Sequence, residues 1–395
     1  MTLAKDTEQG TCSILENEKW SDLPIDVLML VTQRLSLVDH LRMTATCKSW
    51  QRATRSTWSP QTPFLLFIED RNAKFFDPLL KKVYVARIPE LLDAKFHYSK
   101  DAWLLLSRKK LSELFFFNPL TNEKINLPNI ELFFNYLTDE SINPNDRIFV
   151  KKGAFVLSFS SSPTSQDCIV FLILRETWNG SSYDRVTIYT YCHSDRTWKR
   201  FRSIPRGSTH DLFEELFEGQ LAYNSPVYLD GRLYYLSTKG TLGVFYTNGT
   251  TYVGYPTGLC SGKHDCYLVE SHGELLSVFC RRNKIHFFQF DLRKWIWIKM
   301  KSLEDNLLFL DRLTSLSMTA VGGQKNRIYF SAFKRCCNDP VFFSLQTKKF
   351  SREISKCKEH VRRIWVDPKG FELAYGTKSR ENPLIVLGKA KDGCN

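Results

Sequence analysis

Two periodicities divide the chain. Between Trp20 and Thr57 apolar residues recur at helical spacing, first Val27, Leu28, Val31 and Leu35, then Leu37, Val38, Leu41 and Ala45. Ser21 and Asp22 are the expected cap of the first helix, with Pro24 in its first turn, where a missing N–H does no harm. Ser36 with Asp39 three residues on predicts a second start through a short capping box. A third helix is expected from about Ser49 through Arg55. Helices packed into roughly 40 residues bury little apolar surface, and units this small usually lean on a disulfide, a metal or another protein. A standing partner is therefore expected.

From Phe64 to about Gly388 the pattern changes to short runs of Val, Ile, Phe, Tyr, Trp and Leu, broken by Asp, Asn, Gly, Pro and Lys, which reads as all-β. The runs repeat. Phe75-Phe76-Asp77-Pro78-Leu79 returns as Phe116-Phe117-Asn118-Pro119-Leu120, and weaker copies end at Trp198, Tyr252, Trp297 and Phe350. Each copy is a strand, a polar turn and a second strand. A period of roughly 40 to 50 residues with such hairpins predicts a β-propeller. Complete four-strand units are expected at Ala94–Pro128, Gly153–Ile204, Pro226–Tyr255, Asp265–Met300 and Leu316–Ile354. The unit from Phe64 to Pro89 has only three runs, and Val361 to Val366 is the candidate strand to complete it and close the ring. The count is six blades, or seven if Ile364 to Leu387 forms its own unit.

The order of residue types in the helical segment resembles the F-box: Leu23-Pro24, an acid at Asp26, Val27-Leu28, Leu35, Leu41 and Cys47-Lys48-x-Trp50. The resemblance implies docking onto the Skp adaptor of a cullin-RING ubiquitin ligase. Leu23, Pro24, Val27, Leu28, Leu35 and Trp50 are the implied contacts, although some of them must also hold the helices together. An F-box followed by a propeller with Asn326–Phe330 and Ile364–Pro368 runs is similar to plant F-box proteins of the kelch-repeat type or with a KIB-like propeller. Kelch units carry a Gly-Gly pair after the second strand, whereas Gly322-Gly323 is the only such pair here. The implied organisation is a lead over 1–19, an F-box over 20–58, a linker over 59–63, a propeller over 64–389 and a tail over 390–395.

Composition narrows the function classes. A chain of 395 residues, 43% hydrophobic and 14% aromatic, can fill a large core. No secretory signal is read at the start, and the longest apolar run, Cys168 to Leu174, is far short of the ~20 residues that cross a bilayer. Eleven scattered cysteines do not form a disulfide framework and point to a reducing cytoplasmic or nuclear compartment. The sequons at Asn179 and Asn248 are also Asn-Gly pairs, the commonest hairpin turn. A net charge of +13 invites nucleic acid, yet the basic residues are spread rather than gathered, so none is expected as a partner.

Catalytic signatures are missing. Gly258 to His264 fails as a phosphate loop, and Cys260, His264, Cys266 and His272 lack the tight pairing of a zinc site, so no cofactor or metal is expected. Cys336-Cys337 would point to opposite faces of a strand. The insertions at Asn129–Lys152 and Arg206–Gln220 are candidate binding loops. The expected function is a non-catalytic adaptor that binds the Skp adaptor, and through it cullin, by the helices and an unknown protein client by the propeller. The alternatives are a propeller enzyme or sugar binder with tunnel-facing acids, and a scaffold that ubiquitinates nothing.

Overall fold

The computed structural model describes residues 20–56, 62–130, 148–178, 184–202, 226–236, 242–247, 251–254, 265–281, 284–320, 324–333, 340–352 and 362–369. The insertions at 131–147 and 206–220, both sequon turns, Cys260, His264, Cys336-Cys337 and the stretch that would make a seventh blade lie wholly or largely outside those residues. A 3-10 turn at Trp20–Asp22 leads into α1 (Ile25–Thr32), α2 (Leu37–Thr44) and α3 (Lys48–Ser56). Pro24 is itself the residue before α1, extended at φ −54° and ψ 141° with no side-chain cap, so the expected capping by Ser21 and Asp22 is corrected. Ring closure at Pro24 already fixes the φ that starts a helix. The second start is as the capping box predicts: Asp39 N–H donates to Ser36 Oγ at 3.2 Å and Ser36 Oγ donates to Asp39 Oδ2 at 2.7 Å.

Six blades follow, five of them antiparallel throughout. The first holds β1 (Phe64–Glu69), β2 (Asn72–Asp77) and β3 (Lys82–Ala86), and a short helix α4 (Pro89–Leu92) leads to the second, with β4 (Lys95–Lys100), β5 (Trp103–Arg108), β6 (Glu113–Asn118) and β7 (Glu123–Asn126). The third has β8 (Ile148–Phe159), β9 (Ile169–Trp178), β10 (Asp184–Cys192) and β11 (Trp198–Arg202). The fourth has β12 (Val227–Leu229), β13 (Arg232–Leu236), β14 (Leu242–Tyr246) and β15 (Thr251–Gly254). The fifth has β16 (Asp265–Ser271), β17 (Glu274–Arg281), β18 (Lys284–Asp291) and β19 (Ile296–Lys299). The sixth runs β20 (Asn306–Leu310), β21 (Leu316–Thr319), β22 (Arg327–Phe330), β23 (Val341–Ser344) and β24 (Lys349–Arg352).

The last strand, β25 (Arg363–Val366), returns to pair with β1, Leu65 opposite Trp365 and Leu66 opposite Ile364, and supplies the innermost strand of blade 1. Blade 6 differs from expectation. It starts at Asn306 rather than Leu316, because β20 inserts parallel to β22 and β21 folds back inside it, giving five strands in the order β21-β20-β22-β23-β24.

Near-continuous apolar runs are explained by where the two faces of each blade go. Side chains alternate across a strand, and here both faces are covered by a neighbouring blade. Leu66 and Phe64 pack towards blade 2 with Leu104 and Phe115, while Leu65 and Phe67 pack towards blade 6 with Phe309, Tyr329 and Trp365. Four more clusters sit between blades 2 and 3, 3 and 4, 4 and 5, and 5 and 6, so apolar packing is continuous around the ring.

The repeated Phe-Phe-Asp/Asn-Pro-Leu run has a mechanical cause. Asp77 Oδ1 accepts from the backbone N–H groups of Leu79 and Leu80 at 2.9 and 3.0 Å, and Asn118 Oδ1 accepts likewise from Leu120 and Thr121 at 2.9 and 3.2 Å. The side-chain oxygen thus shapes the turn into the outermost strand. Other hairpins use two residues with positive φ, as at Asp230-Gly231 (49° and 73°) and His272-Gly273 (53° and 79°). That geometry matches strand twist and suits glycine at the second position.

Candidate functional site

The three N-terminal helices have a very small core. Leu28, Met43 and Ala53 are buried, with Leu23, Met29, Leu35 and Trp50 packed around them, and the Trp50 indole N–H donates to the Trp20 carbonyl at 2.9 Å. The helices rest on the ring through α2. Val38 is 1% exposed within the cluster shared by blades 1 and 2, and Ser36 lies beside Tyr84 of β3. Burial raises the Tyr84 pKa above its ordinary value, in keeping with a covered seam.

One face of α1 remains uncovered. Trp20, Ile25, Val27, Leu30 and Val31 are 77, 44, 40, 63 and 42% exposed. Val27, Leu30 and Val31 stand at i, i+3 and i+4, which places them in one patch. Leu28 and Thr32 point the other way, into the helices. The six residues implied by the resemblance separate accordingly. Pro24 and Val27 are exposed; Leu23, Leu35 and Trp50 are half-buried against the helical core; Leu28 is enclosed and holds the helices together. Trp20, Ile25, Leu30 and Val31 were not among the six, though the spacing from Val27 pointed to Leu30 and Val31.

The centre of the ring was the other place for chemistry. The innermost strands bring Lys100, Asp101, Glu270, Asp367 and Lys369 towards one mouth, where burial raises the carboxyls of Asp101 and Asp367 above the usual carboxylate range. Lys100, Glu270, Asp367 and Lys369 have structural partners. Asp367 Oδ1 accepts from the Lys369 N–H at 3.0 Å, Glu270 Oε1 from Gly273 N–H at 2.8 Å, and Lys100 Nζ donates to the Ser160 carbonyl at 2.6 Å. The centre is also bridged. Thr314, in the turn between β20 and β21, accepts from Ser99 N–H of blade 2 at 2.8 Å, and Arg312 reaches Asp265 of blade 5 at 3.7 Å. Among the described residues no three His, Cys, Asp or Glu side chains are placed to hold a metal. Cys47, Cys168, Cys192, Cys266 and Cys280 are thiols rather than disulfides. No helix among the described residues is long and apolar enough to cross a membrane.

A helical knob with an apolar face, seated on a six-bladed ring, defines an F-box protein with a C-terminal propeller, and residues 20–61 match the F-box domain. Residues 75–357 match the KIB1-4 beta-propeller, and the chain belongs to that family. It is 26% identical to the F-box protein At3g56470 of Arabidopsis thaliana, covering 89% of this chain and 90% of that one. It is 28% identical to the F-box/kelch-repeat protein At1g57790 of the same plant, covering 90% and 96%. With the F-box/kelch-repeat protein KIB1, also from Arabidopsis thaliana, identity is 26% and coverage 82% and 80%.

Proposed function

We propose that the chain is the client-recognition subunit of a Skp-cullin-F-box ubiquitin ligase. The observation that carries this reading is the apolar face of α1, which its own ring leaves open while α2 takes the ring contact. Exposed Trp, Ile, Leu and Val side chains this close together cost free energy in water, roughly 25 cal/mol for each Å² of apolar surface left unburied. Burial against an apolar groove of the Skp adaptor removes that cost. Pro24 and Val27 from the F-box pattern, with Trp20, Ile25, Leu30 and Val31, form the contact; Leu23, Leu28, Leu35 and Trp50 shape it from behind.

The chain itself contributes no catalysis. It holds a protein client on the propeller near the ubiquitin-carrying enzyme, and the acceleration comes from proximity. The reading includes an F-box over 20–58 and a propeller over 64–389, action in the cytoplasm or nucleus, and neither nucleic acid nor membrane as partner. The test is a pull-down of the purified Skp adaptor. The wild-type chain is expected to retain it, and Leu30→Lys with Val31→Lys to lose it with the thermal melt unchanged. A wild type that fails to bind, or a double variant that binds as well, overturns the proposal.

A further inference from the structure

The outermost strands of the ring are not alike. On β7 the exposed positions are Glu123, Lys124 and Asn126; on β11, Lys199 and Arg200; on β24, Lys349, Ser351 and Arg352; on β3, Lys82. These are the polar, mostly charged edges that keep sheets from pairing with other chains. In β19 the exposed side chains include Ile296 and Ile298, at 42 and 45%. Alternation explains why they are left out: Trp297 turns inward onto Phe290, ring centroids 4.8 Å apart, which obliges its two neighbours to face outward. Nothing in the packing of blade 5 requires those two positions to be apolar.

The surroundings of this strand are basic. Arg293, Lys294, Lys299 and Lys301 are exposed, and among the described residues none of the four is in an ion pair. The carboxylate next to the strand is Asp291, whose Oδ1 accepts from the N–H groups of Arg293 and Lys294 at 2.9 and 3.0 Å, bonds that hold it below the usual carboxylate range and tie it to the turn. Beyond the strand, Glu304 is exposed and Asp305 is paired with Lys325 at 2.6 Å. Met300 and Phe350 pack on the same cluster between blades 5 and 6, which brings the basic β24, with Lys349 and Arg352, onto the neighbouring edge. β19 ends the order of its sheet, so its outer side offers backbone N–H and C=O groups to an added strand.

We infer that the β19 edge is a docking site for an extended, acidic and apolar segment of a partner protein, added as a further strand to blade 5. Alternate apolar side chains of that segment lie on Ile296 and Ile298, and its carboxylates meet Arg293, Lys294, Lys299 and Lys301. This deepens the client-recognition reading by locating where on the ring a client is gripped and by its chemistry.

The probe is a fluorescein-labelled eight-residue peptide of alternating Glu and Val, titrated by anisotropy against the full chain, with a Lys and Val alternation as control. The acidic peptide is expected to bind and the basic one not. Ile296→Ser with Ile298→Ser should weaken binding at least tenfold, as should N-methylation of alternate amides of the peptide. Lys299→Glu with Lys301→Glu should reverse the preference between the two peptides. Equal binding of both peptides, or an unchanged affinity in the isoleucine variants, overturns the inference. Self-association in sedimentation that Ile298→Lys abolishes also overturns it, by making a second copy the occupant. All four side chains are exposed, so the melt should be unchanged, and Skp adaptor pull-down by the same variants should be unaffected. Failure here with adaptor binding intact thus leaves the ligase reading standing.

Discussion

The helical knob and the ring solve the same problem of burying apolar side chains with opposite success. In the ring every blade is covered on both faces, and residues as large as Trp365, Tyr234 and Phe171 are essentially inaccessible. Among the described residues the knob encloses the apolar side chains of Leu28, Met43 and Ala53 and spends Val38 on the ring, while five large apolar residues of the Trp20 to Val31 stretch face outward. The difference teaches where each part gets its order. The ring is closed by its own chain, through β25, whereas the knob leaves an apolar face open. A closed sheet has no unmatched edge at its seam; three short helices cannot surround themselves.

That contrast can be broken or sharpened by substitution. Trp365→Ala removes a side chain 1% exposed, packed on Phe309 and donating to the Leu310 carbonyl at 3.1 Å, and is expected to cost the ring about 3–5 kcal/mol in chemical denaturation while leaving adaptor pull-down intact. Leu28→Ala should cost about 2–5 kcal/mol within the knob, read as faster amide exchange in residues 25–56, and should reduce adaptor binding indirectly. Equal exchange in knob and ring after either change would show that the two are one cooperative unit.

Acid separates them by a smaller step. Burial lowers His40 in the knob to about 4 and His97 in the ring to about 3, both below the ordinary 6.5. The unfolded chain therefore takes up protons before the folded one does. Stability is full above pH 6.5, falls as pH drops from 6.5 to about 4 for His40, and continues to fall to about 3 for His97. His40→Gln should flatten the upper part of that decline for the knob alone, measured by exchange at pH 7 and pH 5. Ser36→Ala removes the α2 cap and should cost about 1 kcal/mol. Val27→Ala, on the open face, should change stability by less than about 0.5 kcal/mol and yet weaken adaptor binding.

Much of this was legible in the order of residues. The Phe-Phe-Asp/Asn-Pro-Leu repeat marked turns that Asp77 and Asn118 do make, and the missing strand of blade 1 pointed to the run that became β25. Blade 6 was misread because a parallel neighbour is set by a partner distant in sequence: nothing in Asn306–Leu310 tells that it will lie beside Arg327–Phe330. The helical cap was misread because Ser21 and Asp22 offer the same oxygens whether or not the chain turns once before Pro24.

By itself the sequence determined the two periodicities, the repeat, the closing strand and the grammar of the helices, because these are local choices of side-chain spacing and turn chemistry. Tertiary structure decided which face of α1 stays open, that Leu28 turns inward and Val38 joins the ring, and that Ile296 and Ile298 are stranded outside. Those outcomes depend on which surface arrives opposite each residue, and a chain written in one dimension does not record its neighbours in three.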